Sequence, residues 1–152
     1  MSIWKVPGPI DLAALNRLSR NTLVAHLGIE ISAVGDDWVQ ASMPVDHRTH
    51  QPMGLLHGGA SVALAETVGS VAANLAVAPP RRCLGLEINA NHIRSVQGGV
   101  VTAVARPIQI GRRIQVWDIR IADAQDRTVC VARLTMAVVS PQPAAGPPSQ
   151  PV

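Results

Sequence analysis

The chain contains neither phenylalanine nor tyrosine, and its 152 residues include only three tryptophans, Trp4, Trp38 and Trp117. Aromatic platforms on which bases could stack are missing, which argues against nucleic acid as a partner. Cysteine is scarce too. Cys83 and Cys130 sit in apolar, strand-like stretches without metal-ligand spacing, so both are expected to be buried, reduced thiols. Only 15% of residues are charged, and the formal charge of +3 comes from scattered arginines, a bias that suits anionic small molecules. No uninterrupted apolar run stands near the N-terminus, where Asp11 and Arg17 intervene. A signal peptide is therefore not expected, and the cytoplasm is the default compartment.

What is present is a globular composition, 47% hydrophobic, in a chain long enough for one domain with a sizeable core. Residues 11–20 form an amphipathic helix pattern with Asp11 as N-cap and Leu12, Leu15 and Leu18 on the apolar side. Alternation predicts strands at 29–34 and 38–45 around Gly35-Asp36-Asp37. Residues 46–57 form a polar loop, and a long helix follows, expected to end near Pro79-Pro80. Four strands are predicted at 83–96, 99–110, 113–122 and 127–139, joined by short connections that imply antiparallel neighbours. The architecture expected is α+β, an antiparallel sheet curled around one helix. The domain occupies 1–140. The stretch 141–152, with five prolines, is expected to be a mobile extension.

The long helix carries the chemistry. From Gly58 to Pro80 the single charged residue is Glu66, among Ala, Val, Leu, Gly and small polar residues. Its apolar positions on every side predict a helix buried all round. A membrane span is rejected, because Ala, Gly and Ser dominate and an acid sits mid-stretch. A buried lone carboxylate is costly, so Glu66 is either a hydrogen-bonded structural residue or a functional one. Its company favours function. Gly58 and Gly59 open the helix, where backbone N–H groups are free for an anion. His57 precedes them, Gln51 brings an amide donor, and Ser70 shares the Glu66 face one turn on. Oxyanion donors, an acid and a hydroxyl are the parts of an acyl-transfer site.

Spacing adds a demand. Gly58 and Glu66 are separated by about 12 Å along a helix axis, so one helix cannot bring both to a single carbonyl. If both act, they come from two subunits of a symmetric oligomer. Along strand 83–96, alternation sets Leu84, Leu86, Ile88, Ala90, His92 and Arg94 on one face. Arg106, Arg112 and Arg113 near the next turn are candidates to join His92 and Arg94 on a phosphate, although a solvated strand end explains them equally well.

The run Gln51-Pro-Met-Gly-Leu-Leu-His-Gly-Gly-Ala-Ser-Val-Ala-Leu-Ala-Glu66 resembles the hotdog-fold thioesterases of the PaaI-like type. Within them it is similar to the subfamily of dihydroxynaphthoyl-CoA hydrolases and enterobactin-proofreading thioesterases. The likeness continues through Gly85-Leu-Glu-Ile-Asn-Ala-Asn-His-Ile-Arg-Ser95 and Gln115-Val-Trp117, and covers nearly everything but the tail. The resemblance implies a hotdog fold, dimers sharing a continuous sheet, and a dimer of dimers. It implies an acyl-CoA substrate with an aromatic or hydroxyaryl acyl group, and no metal or separate cofactor, coenzyme A being part of the substrate. By the same resemblance Glu66 is the catalytic carboxylate, Gly58 N–H the oxyanion donor and Gln51 its helper. Ser70 orients substrate or water, and His57 lines the site. Gly85, then His92, Ile93, Arg94 and Ser95, and the turn of Gln109, Ile110, Gly111, Arg112, Arg113 and Ile114 are implied to hold pantetheine and nucleotide. Val71, Asn74 and Leu75 are expected in the acyl wall; Asn74 stands where relatives can carry tyrosine. Other hotdog readings are a hydratase and a non-catalytic acyl-CoA sensor. The first places His and acid differently, and the second needs a DNA-binding segment for which the 28 residues before the first predicted strand are expected to leave no room.

Overall fold

The computed structural model describes residues 2–141, so most of the proline-rich stretch expected to be mobile lies outside the described residues. In chain order the elements are α1 (Leu12–Leu18), α2 (Leu23–His26), β1 (Glu30–Val34), β2 (Val39–Val45), α3 (Gly58–Leu75), β3 (Arg82–His92), β4 (Gly99–Ile110), β5 (Ile114–Ala122) and β6 (Thr128–Val139). The strands form one antiparallel sheet in the order β1-β2-β4-β5-β6-β3, wrapped on α3, as the sequence predicts. Asp11 caps α1, accepting from Ala14 N–H at 3.1 Å. The four-residue α2, entered through Thr22, is not anticipated by the sequence pattern.

The sheet is held against α3 by small residues on the helix. A Cβ at Gly69 would stand 2.6 Å from Leu134 Cδ2, so the helix approaches β6 more closely than any side chain there would permit. Leu64, Ala65, Val68 and Ala72 of α3 are fully buried against Val39, Met43, Val101, Trp117, Ile119 and Leu134 of the sheet. Fully burying a residue the size of Leu64 contributes about 1.5–3 kcal/mol. Trp117 also stacks on Trp4, ring centroids 6.5 Å apart and nearly parallel, which closes the end of the core at the N-terminal segment.

Four expectations are corrected. The helix is not buried all round: Ala60, Ser61, Leu64, Ala65, Val68, Gly69, Ala72, Ala73 and Leu75 face the core, while Val62, Ala63, Glu66, Thr67, Ser70, Val71 and Asn74 form a stripe open to varying degrees. One sheet covers one side of a helix, and the second side is left open in the single chain. The helix ends at Leu75, ahead of Pro79-Pro80, because Lys5 N–H takes the Leu75 carbonyl at 2.8 Å and Ala76 and Val77 turn into the core. β3 and β4 do not pair, despite the short connection. Residues 93–98 pass β6 and β5 before β4 begins, tied to the preceding loop by Leu56 N–H on the Val96 carbonyl at 2.8 Å. β3 is thereby left at an edge.

The fourth correction concerns β3 itself. Its ladder with β6 slips between Gly85 and Glu87, so Leu86 is an extra, bulged residue. The helix-facing set is Cys83 and Gly85 before the bulge and Ile88, Ala90 and His92 after it, whereas Leu84 and Leu86 are 57% and 60% exposed. Residues 93–96 leave the strand altogether, so Arg94 does not continue that face.

Candidate active site on the central helix and the open strand

The polar loop 46–57 is built to present the start of α3. Thr49, 2% exposed, donates through Oγ1 to the Pro44 carbonyl at 2.9 Å and accepts from Asp46 N–H at 3.1 Å. Its own carbonyl receives His57 N–H at 2.8 Å. Asp46 grips Arg48 through both carboxylate oxygens, and those hydrogen bonds hold its carboxyl well below the usual carboxylate range.

His57 is the N-cap of α3. Its Nδ1 accepts from Gly59 N–H at 2.8 Å, which fixes the lone pair on Nδ1 and leaves Nε2 as the donor. Gly58 N–H, by contrast, has no hydrogen-bond partner among the described residues. That difference singles out Gly58 as the available donor at a helix N-terminus, where the peptide dipoles favour negative charge. Gln51 faces the same hollow. Its Oε1 accepts Met53 N–H, and a backbone N–H can only donate, so the Nε2 amino group is the end left to offer hydrogen bonds. Gln51, Gly58, His92, Ile93, Arg94 and Ser95 line a cavity of about 300 Å³. His92 lies directly on Gly58: a Cβ there would be 2.8 Å from His92 Nε2.

Glu66 occupies a different hollow. It lines a cavity of about 530 Å³ with Ser70, Thr67, Val62, Ala63 and Val71 from α3 and Ser19, Leu23, Val24 and Ile29 from the preceding segment. Its carboxylate has no hydrogen-bond or ion-pair partner among the described residues, and Glu66 is exposed rather than buried as the sequence suggests. It rests on β3, where a Cβ at Gly85 would stand 2.7 Å from Oε1. Gly85 therefore meets Glu66 in the structure. Ser70 Oγ is 4.0 Å from Met136 Sδ, a weak contact that leaves the hydroxyl on the cavity wall. The walls from α2, Leu23 and Val24, were missed from sequence; Thr22 before a short apolar run and Gly28 after it were the available signals.

The structure thus separates the sequence-predicted residues into two groups, Gly58 with Gln51 and 92–95, and Glu66 with Ser70 and Gly85. The turn 109–114 joins neither within one chain. Gln115 lies in the row Gly85–Met136–Gln115, at the Glu66 end of β3, while His92 pairs Cys130 at the opposite end. Gly111 is needed in that turn, since a Cβ would meet the Ile114 carbonyl oxygen. Arg106 does not reach toward Arg94. It pairs with Asp37 at 3.0 Å and lies over Trp38. Of the expected acyl wall, Val71 lines the Glu66 cavity, Leu75 is buried in the core, and Asn74 hydrogen-bonds β3. A third hollow, about 500 Å³ beside Trp4 and Ile10, touches none of the site residues. Among the described residues no three His, Cys, Asp or Glu side chains gather as metal ligands would, and no helix is long and apolar enough to cross a membrane.

Residues 53–130 match the family model of the thioesterase superfamily. The chain is 50% identical over 137 residues to the 1,4-dihydroxy-2-naphthoyl-CoA hydrolase of Escherichia coli, covering 90% of this chain and 99% of that protein. It is 52% identical to the proofreading thioesterase EntH of Cronobacter turicensis, covering 90% of this chain and 98% of the relative. The crystal structure of a Haemophilus influenzae thioesterase superposes with a TM-score of 0.88 at 54% identity, covering 91% of this chain and 95% of that one. By fold and by these likenesses, the chain belongs to the thioesterase superfamily and is a hotdog-fold thioester hydrolase.

Proposed function

We propose that this protein hydrolyses aromatic or hydroxyaryl acyl-CoA thioesters, 1,4-dihydroxy-2-naphthoyl-CoA among them, in the cytoplasm, at sites shared between two copies of the chain. The observation that carries the proposal is the open edge of β3, with Glu66 over Gly85 near one end and Gly58 under His92 at the other. In an antiparallel strand, N–H and C=O of alternate residues point the same way. On β3 the helix-facing residues point theirs to the open edge, as the hydrogen bonds of Cys83 to the side chain of Asn74 illustrate. Two copies pairing about Asn89 set Ile88 against the partner's Ala90. The Leu86 bulge absorbs one residue, so Gly85 then stands against His92 of the second copy. Glu66 of one chain thereby meets Gly58 of the other, which removes the 12 Å difficulty of a single helix (about eight residues of rise). A dimer of dimers would cover the remaining exposed helix stripe.

In the reaction so proposed, the thioester oxygen points to Gly58 N–H, with the Gln51 amino group beside it; one such donor contributes about 3 kcal/mol to the transition state. Glu66 either attacks the carbonyl carbon, giving a mixed anhydride that water opens, or takes a proton from the attacking water. Either way the products are the acid and the free thiol of coenzyme A. No metal or further cofactor takes part. His57 acts by holding Gly59, which keeps the first turn in place. Arg94 and Ser95, together with Arg112 and Arg113, supply donors for phosphate. The second reading is an aryl thioester borne by a carrier protein, favoured by the likeness to the relative named a proofreading thioesterase.

The test is thiol release from a panel of dihydroxynaphthoyl, hydroxybenzoyl, phenylacetyl and medium-chain acyl-CoA, with Glu66→Ala alongside. Aryl turnover that vanishes in the variant is expected. Turnover on none of the panel contradicts the CoA reading and directs the assay to carrier-bound substrates.

A further inference from the structure

We infer that Asn74 is a positioning residue for the Glu66 carboxylate, acting through the open edge of β3 without touching substrate. The inference rests on the thioesterase reading above. Asn74 Oδ1 accepts Cys83 N–H at 2.9 Å, and Asn74 Nδ2 donates to the Cys83 carbonyl at 3.2 Å. One carboxamide thus does for Cys83 what a further strand would do. Nδ2 also donates to the Ser70 carbonyl at 2.9 Å, one turn back on the helix. Because a backbone N–H can only donate, the orientation of the amide is settled.

Cys83 is two residues before Gly85, where the backbone of β3 meets Glu66 Oε1. α3 and β3 are therefore bonded at Asn74–Cys83 and stand in close approach at Glu66–Gly85. The first junction determines how far the strand stands from the helix at the second. Two features make this segment depend on the clamp. At Cys83, β3 has β6 on one side only even in the proposed pair, because the strand that meets Gly85 ends at His92, and the bulge at Leu86 interrupts the β6 ladder immediately after Gly85. Upstream of the bulge, the other ties to α3 are weaker: Cys83 Sγ donates to the Ala73 carbonyl at 3.3 Å. Asparagine fits this task where leucine, similar in size, makes neither bond, and aspartate can accept from Cys83 N–H but would set its second oxygen against two carbonyls. A misplacement of about 1 Å in a catalytic group costs on the order of a hundredfold in rate.

The experiment compares wild type, Asn74→Leu and Asn74→Asp on the best acyl-CoA of the panel and by amide hydrogen exchange of the full chain without substrate. Expected are a fall in kcat of about tenfold or more for Asn74→Leu with KM within about twofold, and a comparable fall for Asn74→Asp, whose second oxygen faces the Ser70 and Cys83 carbonyls. Exchange at Cys83 to Leu86 is expected to quicken in both variants, while β5 keeps its protection. An unchanged kcat in folded Asn74→Leu, or a change confined to KM, overturns the inference. If wild type hydrolyses nothing, that failure belongs to the proposed reaction, and exchange decides the clamp: unchanged rates at Cys83 to Leu86 overturn it.

Discussion

Gly85→Ala places one methyl group where the Glu66 carboxylate meets the open strand. The new Cβ would stand 2.7 Å from Oε1, whereas ordinary contact begins at 3.4 Å, so a displacement of 3.4 − 2.7 = 0.7 Å is required. The next atoms are distant, Glu66 Cδ at 3.8 Å and Met136 Sδ at 4.0 Å. The atom that gives way is therefore the free end of a flexible side chain, and the backbone has no reason to move. Gly85 is not among the glycines with positive φ, so alanine is tolerated by the chain, and its smaller unfolded-state entropy is worth about 0.4–1 kcal/mol of added stability. A shift approaching 1 Å in the group that attacks or deprotonates water costs up to about a hundredfold, or roughly 2.7 kcal/mol in the barrier. The expected result is a kcat reduced by about ten- to a hundredfold, KM nearly unchanged, and a urea midpoint equal to or above that of wild type. A kcat within about twofold of wild type would refute the reasoning. So would a stability loss beyond about 1 kcal/mol, which would mean that the strand and not the carboxylate had moved.

Other expectations follow from the same geometry. Arg94→Ala should raise KM for acyl-CoA several-fold with little change in kcat; an unchanged KM removes Arg94 from the phosphate site. Asp46 bears on the loop that presents Gly58. Its folded carboxyl is held below its ordinary value of 3.8 by Arg48, so the ion pair stabilises the loop fully above the unfolded pKa and is lost only as pH falls through the lower folded value. A carboxyl titration by NMR should show its midpoint below 3.8, and a midpoint at or above 3.8 contradicts the pairing. Cys83 and Cys130 are both buried and free, and burial raises both thiols, so neither should react quickly with a disulfide reagent at pH 8 until urea is added. Rapid reaction of the native protein would contradict their burial.

Much of this molecule is legible in the sequence because period and punctuation agree. Asp11 caps α1 as its position suggests, and β4 occupies 99–110, bounded by Gly98-Gly99 and Gly111. The reading fails where the determinant is not local. Leu84, Leu86, Ile88 and Ala90 look like one face of a strand, yet the bulge at Leu86 reverses the face, and only the register with β6 reveals it. The pairing of β3 with β6 instead of β4 is likewise decided by contacts of 93–98 with the loop before α3. Glu66 reads as a buried charge because its apolar neighbours on the helix are continuous. In one chain they line an open cavity, and an all-round apolar helix looks the same in sequence whether sheet or a second subunit covers it. Asn74 reads as a pocket wall because spacing reports the helix face and not what a side chain bonds.

The central claim is that one site takes Glu66 from one copy and Gly58 with Gln51 from another. Mixing Glu66→Ala and Gln51→Ala chains by unfolding and joint refolding tests it directly. Half of randomly paired dimers would be mixed, and each mixed dimer would hold one site with both residues intact, so about a quarter of wild-type activity should reappear from two nearly inactive parents. Activity no higher than the average of the two variants would contradict the shared site and return both residues to a single chain.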